Sequence, residues 1–431
     1  MNYQKSILRF AIIALVFTCF YACKEDDITR TSVSTTNVVL SGSVASDKTL
    51  YADTIYELAG KVVVDSGATL TIEPGTIIKG RTGTGSLATA LIIARGGKIM
   101  AEGTADKPII MTSVLDNIQA GEKAGSNLTE NDRAKWGGLL ILGRAPISAK
   151  DGDTEAQIEG IPATERYGTY GGSDAADNSG VLKYVSIRHG GAIIGEANEI
   201  NGLTLGGVGS GTLIDYVEVV ANLDDGIELF GGTVNISNAL VAYQGDDAFD
   251  IDQNYAGTLN NVYAIHGGTD TDNALEIDGP EGSTYTTGKF TITNGTFIGE
   301  GTLARAATFK DKAQGAVSNC LFSGYSKWLR VRASFDNNGN MKTDAYTYYT
   351  DGSGKLTITG NQFATTAGTD IIDCFDEHPS YDVTPTEQDA VESVFNDVNN
   401  GNNIVTPNSG TVGATKAAFQ GWSWAAIKGK I

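Results

Sequence analysis

Along residues 183–331, short alternations of apolar and polar residues return at a nearly constant interval. One phrase runs Asp215-Tyr216-Val217-Glu218-Val219, then Asn238-Ala239-Leu240-Val241-Ala242, then Asn261-Val262-Tyr263-Ala264-Ile265. Asn294-Gly295-Thr296-Phe297-Ile298 and Asn319-Cys320-Leu321-Phe322-Ser323 continue it, the leading residues spaced by 23, 23, 33 and 25. Lys183-Tyr184-Val185-Ser186-Ile187 fits 32 residues upstream. A second phrase keeps step at 22, 26, 32 and 22. It reads Asp225-Gly226-Ile227-Glu228-Leu229, Asp247-Ala248-Phe249-Asp250-Ile251, Asn273-Ala274-Leu275-Glu276-Ile277, Arg305-Ala306-Ala307-Thr308-Phe309 and Lys327-Trp328-Leu329-Arg330-Val331.

Two columns with matching spacings predict a solenoid, all-β, with each coil stacked about 4.8 Å from the last so that every strand finds parallel partners. Parallel strands cannot be joined by hairpins, and a coil joins them without helices. The crossover rule makes it a right-handed parallel β-helix. Alternation places Ile227, Leu229, Phe249, Ile251, Leu275 and Ile277 inside and turns Glu228, Asp250 and Glu276 outward. Asp215, Asn238, Asn261, Asn294 and Asn319 form a polar ladder at one turn, bonded to one another and to turn backbone.

The N-terminal half repeats the manner less regularly. Val62-Val63-Val64, Thr69-Leu70-Thr71-Ile72 and Thr76-Ile77-Ile78 are split by Gly and Pro-Gly turns, and Leu91–Ser113 and Trp136–Gly143 give further coils. Residues 118–133 and 150–178 read as loops between coils. After Ser334 the repeat loosens. Leu356-Thr357-Ile358-Thr359 is one more coil candidate, Glu387–Val398 a short helix, and Ala418–Trp424 a cap over the open end of the stack.

Composition agrees: 54 Gly and 8 Pro favour short strands and tight turns. At the N-terminus, Lys5 and Arg9 precede the apolar run Phe10–Phe20, a length that suits a secretory segment and falls short of a bilayer span. Phe20-Tyr21-Ala22-Cys23 resembles a loose bacterial lipobox of the Bacteroidota type, and Lys24-Glu25-Asp26-Asp27 resembles the export signal for the outer face of the outer membrane. The resemblance implies cleavage before Cys23, its acylation, and a lipid anchor facing the cell exterior. Residues 1–22 are then a signal peptide, 23–37 a lipidated tether, 38–335 the β-helix, and 336–431 the last coils and a C-terminal cap.

Cleavage removes two cations, taking the formal charge from −20 to −22. So acidic a surface argues against nucleic acid and leaves room for divalent cations. Cys320 and Cys374 remain, as two thiols or one disulfide, and His189, His266 and His378 are too scattered for zinc. The phrases Arg95-Gly96-Gly97-Lys98-Ile99, Asp224-Asp225-Gly226-Ile227-Glu228 and Gly245-Asp246-Asp247-Ala248-Phe249-Asp250 resemble a family of bacterial β-helix surface lipoproteins with the pectate-lyase-like superfold.

Three chemistries compete on this frame. Asp224, Asp225, Asp246, Asp247 and Asp250 on adjoining coils would repel unless compensated, and calcium would do so. The structural alternatives are turn carboxylates accepting N–H bonds, and charge pairing with the basic coils of Arg305, Lys327 and Arg330. Secondly, pectin-acting hydrolases share the fold and carry paired Asp, His-Gly and basic motifs, and a lyase needs calcium-binding Asp plus a basic residue. Asp225, Asp247, Asp250 and Arg330 would carry either activity, although His266 ends the other strand column and the last motif closes in Arg332 rather than Lys. Thirdly, Trp328, in an outward position beside Arg330, offers a stacking surface to sugars, with Glu228, Asp250 and Glu276 along the same face and Tyr346, Tyr348 and Tyr349 nearby. His189 receives no role. The reading that follows is a non-enzymatic surface binding or scaffold protein for a polysaccharide or an outer-membrane partner, with a carbohydrate-active enzyme as the alternative.

Overall fold

The computed structural model describes residues 37–431 apart from 196–197, 268–269, 301–303, 337, 366–368, 377–378 and 382–399. Cys23, the signal segment, the tether to residue 36, His378 and the expected helix at 387–398 lie outside the described residues.

Among the described residues twenty-eight strands share one hydrogen-bonded network, and the pairs within it are parallel. They stack in three columns, a parallel β-helix. Sheet I holds Leu139–Leu142, Leu203–Gly206, Ile227–Phe230, Phe249–Asp252, Leu275–Ile277, Arg305–Phe309 and Lys327–Val331. Sheet II holds Thr69–Ile72, Lys98–Glu102, Phe290–Thr293, Gly315–Ser318 and Leu356–Thr359, and sheet III holds Ile77–Gly80, Ile109–Ser113, Tyr263–Ile265, Thr296–Ile298, Leu321–Ser323 and Gln362–Ala364. Their strands often run on into each other, as in Asn235–Ala242, through one residue in the left-handed region.

The second phrase has the register read from the sequence: Ile227 pairs Phe249, Phe249 pairs Leu275, and Thr308 pairs Arg330. Its inward residues are completely buried in one apolar core that runs from Leu40 to Phe375. Phe297, Phe322 and Phe363 stack along it with centroids 5.0 and 5.4 Å apart. Leu356–Thr359 is a further coil, paired with Gly315–Ser318. A six-residue helix, Ala345–Thr350, which the repeat does not announce, carries the three tyrosines of this region.

The ladder stands in part, with the Asp215 position shifted and the Asn261–Asn294 rung replaced. Asn238, Asn261, Asn294 and Asn319 all take φ between 52° and 56°, a region Asn tolerates better than most residues. Asn261 Nδ2 donates to Asn238 Oδ1 at 2.5 Å, and Asn319 donates to Asn294. Asp215, however, lies opposite Ser237, and the corner of its coil is Tyr216, stacked on Tyr184 at 4.3 Å. Asp215 still accepts from Asn238 Nδ2 at 2.7 Å. Asn294 donates to Asn260 rather than Asn261.

The C-terminal cap is laid along the flank of the coil, where the sequence had placed it over the end. Thr415 N–H donates to Asn261 Oδ1 at 2.6 Å, Phe419 packs on Tyr263, and Trp422 sets its edge to Tyr184. The Glu218 carboxylate accepts the N–H groups of Trp424 and Ala425 at 2.8 and 2.9 Å. The segment thus straps several coils of sheet III together and buries Tyr243 and Ile265. Cys320 and Cys374 are free, buried thiols.

Asn261 serves the ladder, the strap and a left-handed turn at once. Asn261→Ala is expected to cost about 2–4 kcal/mol in urea unfolding, and Asn261→Gly, which accepts the turn, distinctly less. Equal losses would remove the turn from the explanation.

Candidate functional site

Outward positions of sheet I stack in one line: Leu140, Thr204, Glu228, Asp250, Glu276, Thr308, Arg330 and Asp376. Beside it runs the turn line of Asp225, Asp247, Asn273, Arg305 and Lys327, and on the other edge Asp252, Asp278 and Lys310. Coil stacking therefore concentrates carboxylates that lie 22 to 26 residues apart in the chain. Among the described residues, four sets of three offer oxygens within 4.8 Å of one another: Asp224–Asp225–Asp246, Asp225–Glu228–Asp250, Asp246–Asp247–Asp272 and Asp247–Asp250–Glu276. These clusters could hold a metal ion, each donor being a hard oxygen.

Of these carboxylates Asp225, Glu228 and Asp247 are buried, Asp224, Asp250 and Glu276 are half-buried, and Asp246 and Asp272 reach water. Glu228, Asp225 and Asp247 are 6%, 6% and 4% exposed. The loop inserted at 143–179 packs its apolar residues Ile147, Ile158, Ile161 and Tyr170 over Leu140 and Leu142 of the same face. It is tied down by Ser148 N–H to Gln253 O at 3.0 Å and by Tyr170 Oη to Gln253 Oε1 at 3.2 Å. Glu159 from this loop and Glu199 from the hairpin of Ile193–Gly195 with Asn198–Glu199 add their charge to Asp224.

Part of this charge is accommodated by hydrogen bonds. Asp225 Oδ1 accepts the Asp247 N–H at 2.9 Å, and Asp247 Oδ1 accepts Asn273 N–H at 2.5 Å and Nδ2 at 2.9 Å. Each turn aspartate thus spends one oxygen on the next coil, which is the structural role, and keeps the other. Asn201 donates to Glu228. Lys310 Nζ reaches Glu276 at 3.0 Å and Asp278 at 3.6 Å. Charge pairing therefore does occur, through Lys310. Arg305 pairs instead with Asp376, at 3.5 Å. Asp250 Oδ1 and Asp278 Oδ1 remain buried without a hydrogen-bond partner.

Burial, then mutual repulsion, drives the carboxyls toward their neutral forms. Asp225, Glu228, Asp247 and Asp250 lie well above the ordinary carboxylate range. Asp246 and Asp252 rise to about 6, Asp224 to about 7 and Asp278 to about 9. Burial works against the charge of Lys310, yet Asp278 and Glu276 hold it above the usual lysine value.

The enzyme constellation is assembled in part. Asp225, Asp247 and Asp250 come together, while Arg330 follows Glu276 by two rungs, roughly 10 Å along the stack. His266 directly follows the sheet III strand Tyr263–Ile265, buried against Gln244 and Tyr325, and burial lowers it to about 3. His189 is likewise buried, its Nδ1 at 2.8 Å from Asp132 O. Trp328, expected to face outward, is half-buried and sets its edge to Tyr325 and Phe363, packing on the core. Tyr346 is buried and Tyr349 stacks on Phe375. Sequence reasoning missed Lys310 and Asn201. Both were within reach: Asn201-Gly202-Leu203-Thr204-Leu205 repeats the phrase 24 residues before Asp225, and Lys310 continues the line of Asp252 and Asp278.

Residues 42–404 match the model of the pectate-lyase-like β-helix domain. The chain belongs to that family. Its family name describes the coil, and the solved structures similar to it are distant. The pectin methylesterase from Aspergillus niger, in two deglycosylated forms, is 12% and 11% identical, with TM-scores of 0.31 and 0.32, covering 80% of this chain and 85% of that one. No curated protein matches.

Raised carboxyl pKa values have a definite sign. The folded chain keeps protons that the unfolded chain releases near pH 4, so metal-free stability should fall as pH rises from about 4 up to the folded values of about 6, 7 and 9, each group ceasing to contribute above its own value. In chelator, the melting temperature should be higher at pH 5 than at pH 8. A stability that climbs with pH over this range would mean the carboxylates are ionised and compensated without a metal.

Proposed function

We propose that this protein is a non-enzymatic binding scaffold of the cell surface, held in the outer membrane through lipidated Cys23, whose roofed carboxylate face takes up calcium. The observation that carries the metal reading is the Asp247–Asp250–Glu276 set, in which three oxygens from two coils converge and Asp250 Oδ1 has no partner. All-oxygen, flexible, carboxylate-rich donor sets suit calcium better than softer or strictly octahedral ions. Bound there, the ion would replace protons as the compensating charge and fasten neighbouring coils. The stacked faces then serve an extended partner, a polysaccharide or an outer-membrane protein.

A second reading, a polysaccharide lyase or hydrolase, is favoured by Arg330 standing in line with the carboxylates and keeping its Nε buried without a partner. It predicts unsaturated products or new reducing ends from a panel of acidic and neutral glycans, lost in Arg330→Ala. Release of neither product from any glycan removes it.

Calcium should raise the melting temperature of the wild type at pH 8, and chelator should lower it. Asp250→Asn removes one buried charge and one ligand. It should therefore melt higher than wild type in chelator and gain less from calcium. A wild type indifferent to calcium contradicts the metal reading.

A further inference from the structure

Two successive sheet I strands close in aspartate, Asp252 and Asp278, and the next closes in lysine, Lys310. The backbone keeps the three in line: Asp278 N–H donates to Ile251 O at 2.7 Å, and Lys310 N–H to Ile277 O at 2.9 Å. Stacking thus sets an ammonium into a field of carboxylates. Its Nζ stands 3.0 Å from Glu276 Oε2 and 3.6 Å from Asp278 Oδ2, one oxygen from each of two neighbouring lines. Among the described residues, no other basic side chain forms an ion pair with Asp225, Glu228, Asp247, Asp250, Glu276 or Asp278. The face therefore already holds one cation, tethered to its own chain.

Glu276 is where that cation and a free one would meet. The carboxylate on Lys310 is also the third donor of the Asp247–Asp250–Glu276 set. A divalent ion such as calcium sits about 2.3–2.6 Å from each oxygen it binds. An ion in that set and an ammonium on the same carboxyl group would then stand roughly 5 Å apart. Like charges that close repel strongly where little water lies between them. The ammonium has somewhere to go, because the Lys310 side chain is 26% exposed and its head can turn into water without crossing the core.

We propose that Lys310 is a tethered competitor for the metal: a divalent ion enters the Asp247–Asp250–Glu276 set only as the ammonium lets go of Glu276, so this one lysine sets how tightly the face binds. The proposal rests on the metal reading and supplies its regulation. Without a metal, Lys310 compensates part of the row. With one, its charge is in the way, and it leaves.

Calcium titrations of the purified chain at pH 8 compare wild type, Lys310→Met and Lys310→Arg. Lys310→Met should bind calcium about tenfold or more tightly than wild type. Lys310→Arg, which keeps the charge, should stay within about threefold of it. Where Lys310→Met fails to fold, wild type decides alone: an amine-reactive ester, read by peptide mass spectrometry, should label Lys310 severalfold faster once calcium is bound. Equal affinity in wild type and Lys310→Met, or labelling unchanged in a wild type that has bound calcium, overturns the competition and leaves the calcium site standing. Calcium binding by Lys310→Met alone sustains the competition and sinks calcium as the natural occupant, the lysine then filling the place for good. Binding by neither overturns both.

Discussion

Parallel stacking at a fixed rise is the constraint from which the other features follow. A residue in a β-helix has its counterpart from the next coil directly above it, about 4.8 Å away. Like then sits on like. Inside, this yields continuous columns such as Ile227, Phe249 and Leu275. At a corner it lets Asn238 and Asn261 satisfy one another. On the outer face of sheet I it places Glu228, Asp250 and Glu276 in a row that electrostatics alone would forbid.

The inserted loop sharpens that conflict. Without it, water would solvate the row and the charges would be cheap. Under the roof, desolvation raises the cost of every charge it leaves unpaired. Asp225 and Asp247 each satisfy one oxygen through the next coil, and Lys310 neutralises part of the far edge. The remainder must carry protons or a cation.

The coil itself was legible because its signal is periodic: register at Glu228, Asp250 and Glu276 follows from spacing alone. The Asp215 position was read one residue off, because the corner of that coil is a tyrosine, which hides the Asn signature. Burial of the outward carboxylates was not legible. It depends on residues 143–179, which have no repeat and whose packing is set by tertiary contacts such as Ser148 with Gln253. Trp328 misled for a related reason. It occupies the place of Ala306, Ala274 and Ala248, at a corner where a large ring turns back onto Phe363. The C-terminal strap was recognised as a covering element from its aromatics, but nothing in its sequence says which surface of the coil it covers.

The central claim is that the buried carboxylates of sheet I hold protons until a cation displaces them. Counting the protons released on calcium binding at pH 7, by calorimetry in buffers of different ionisation enthalpy, tests it most directly. Release of about one proton or more per calcium bound is the expected result, falling in Asp250→Asn. Calcium that binds with no proton release would mean the carboxylates were already ionised, and the electrostatic picture of this face would be wrong.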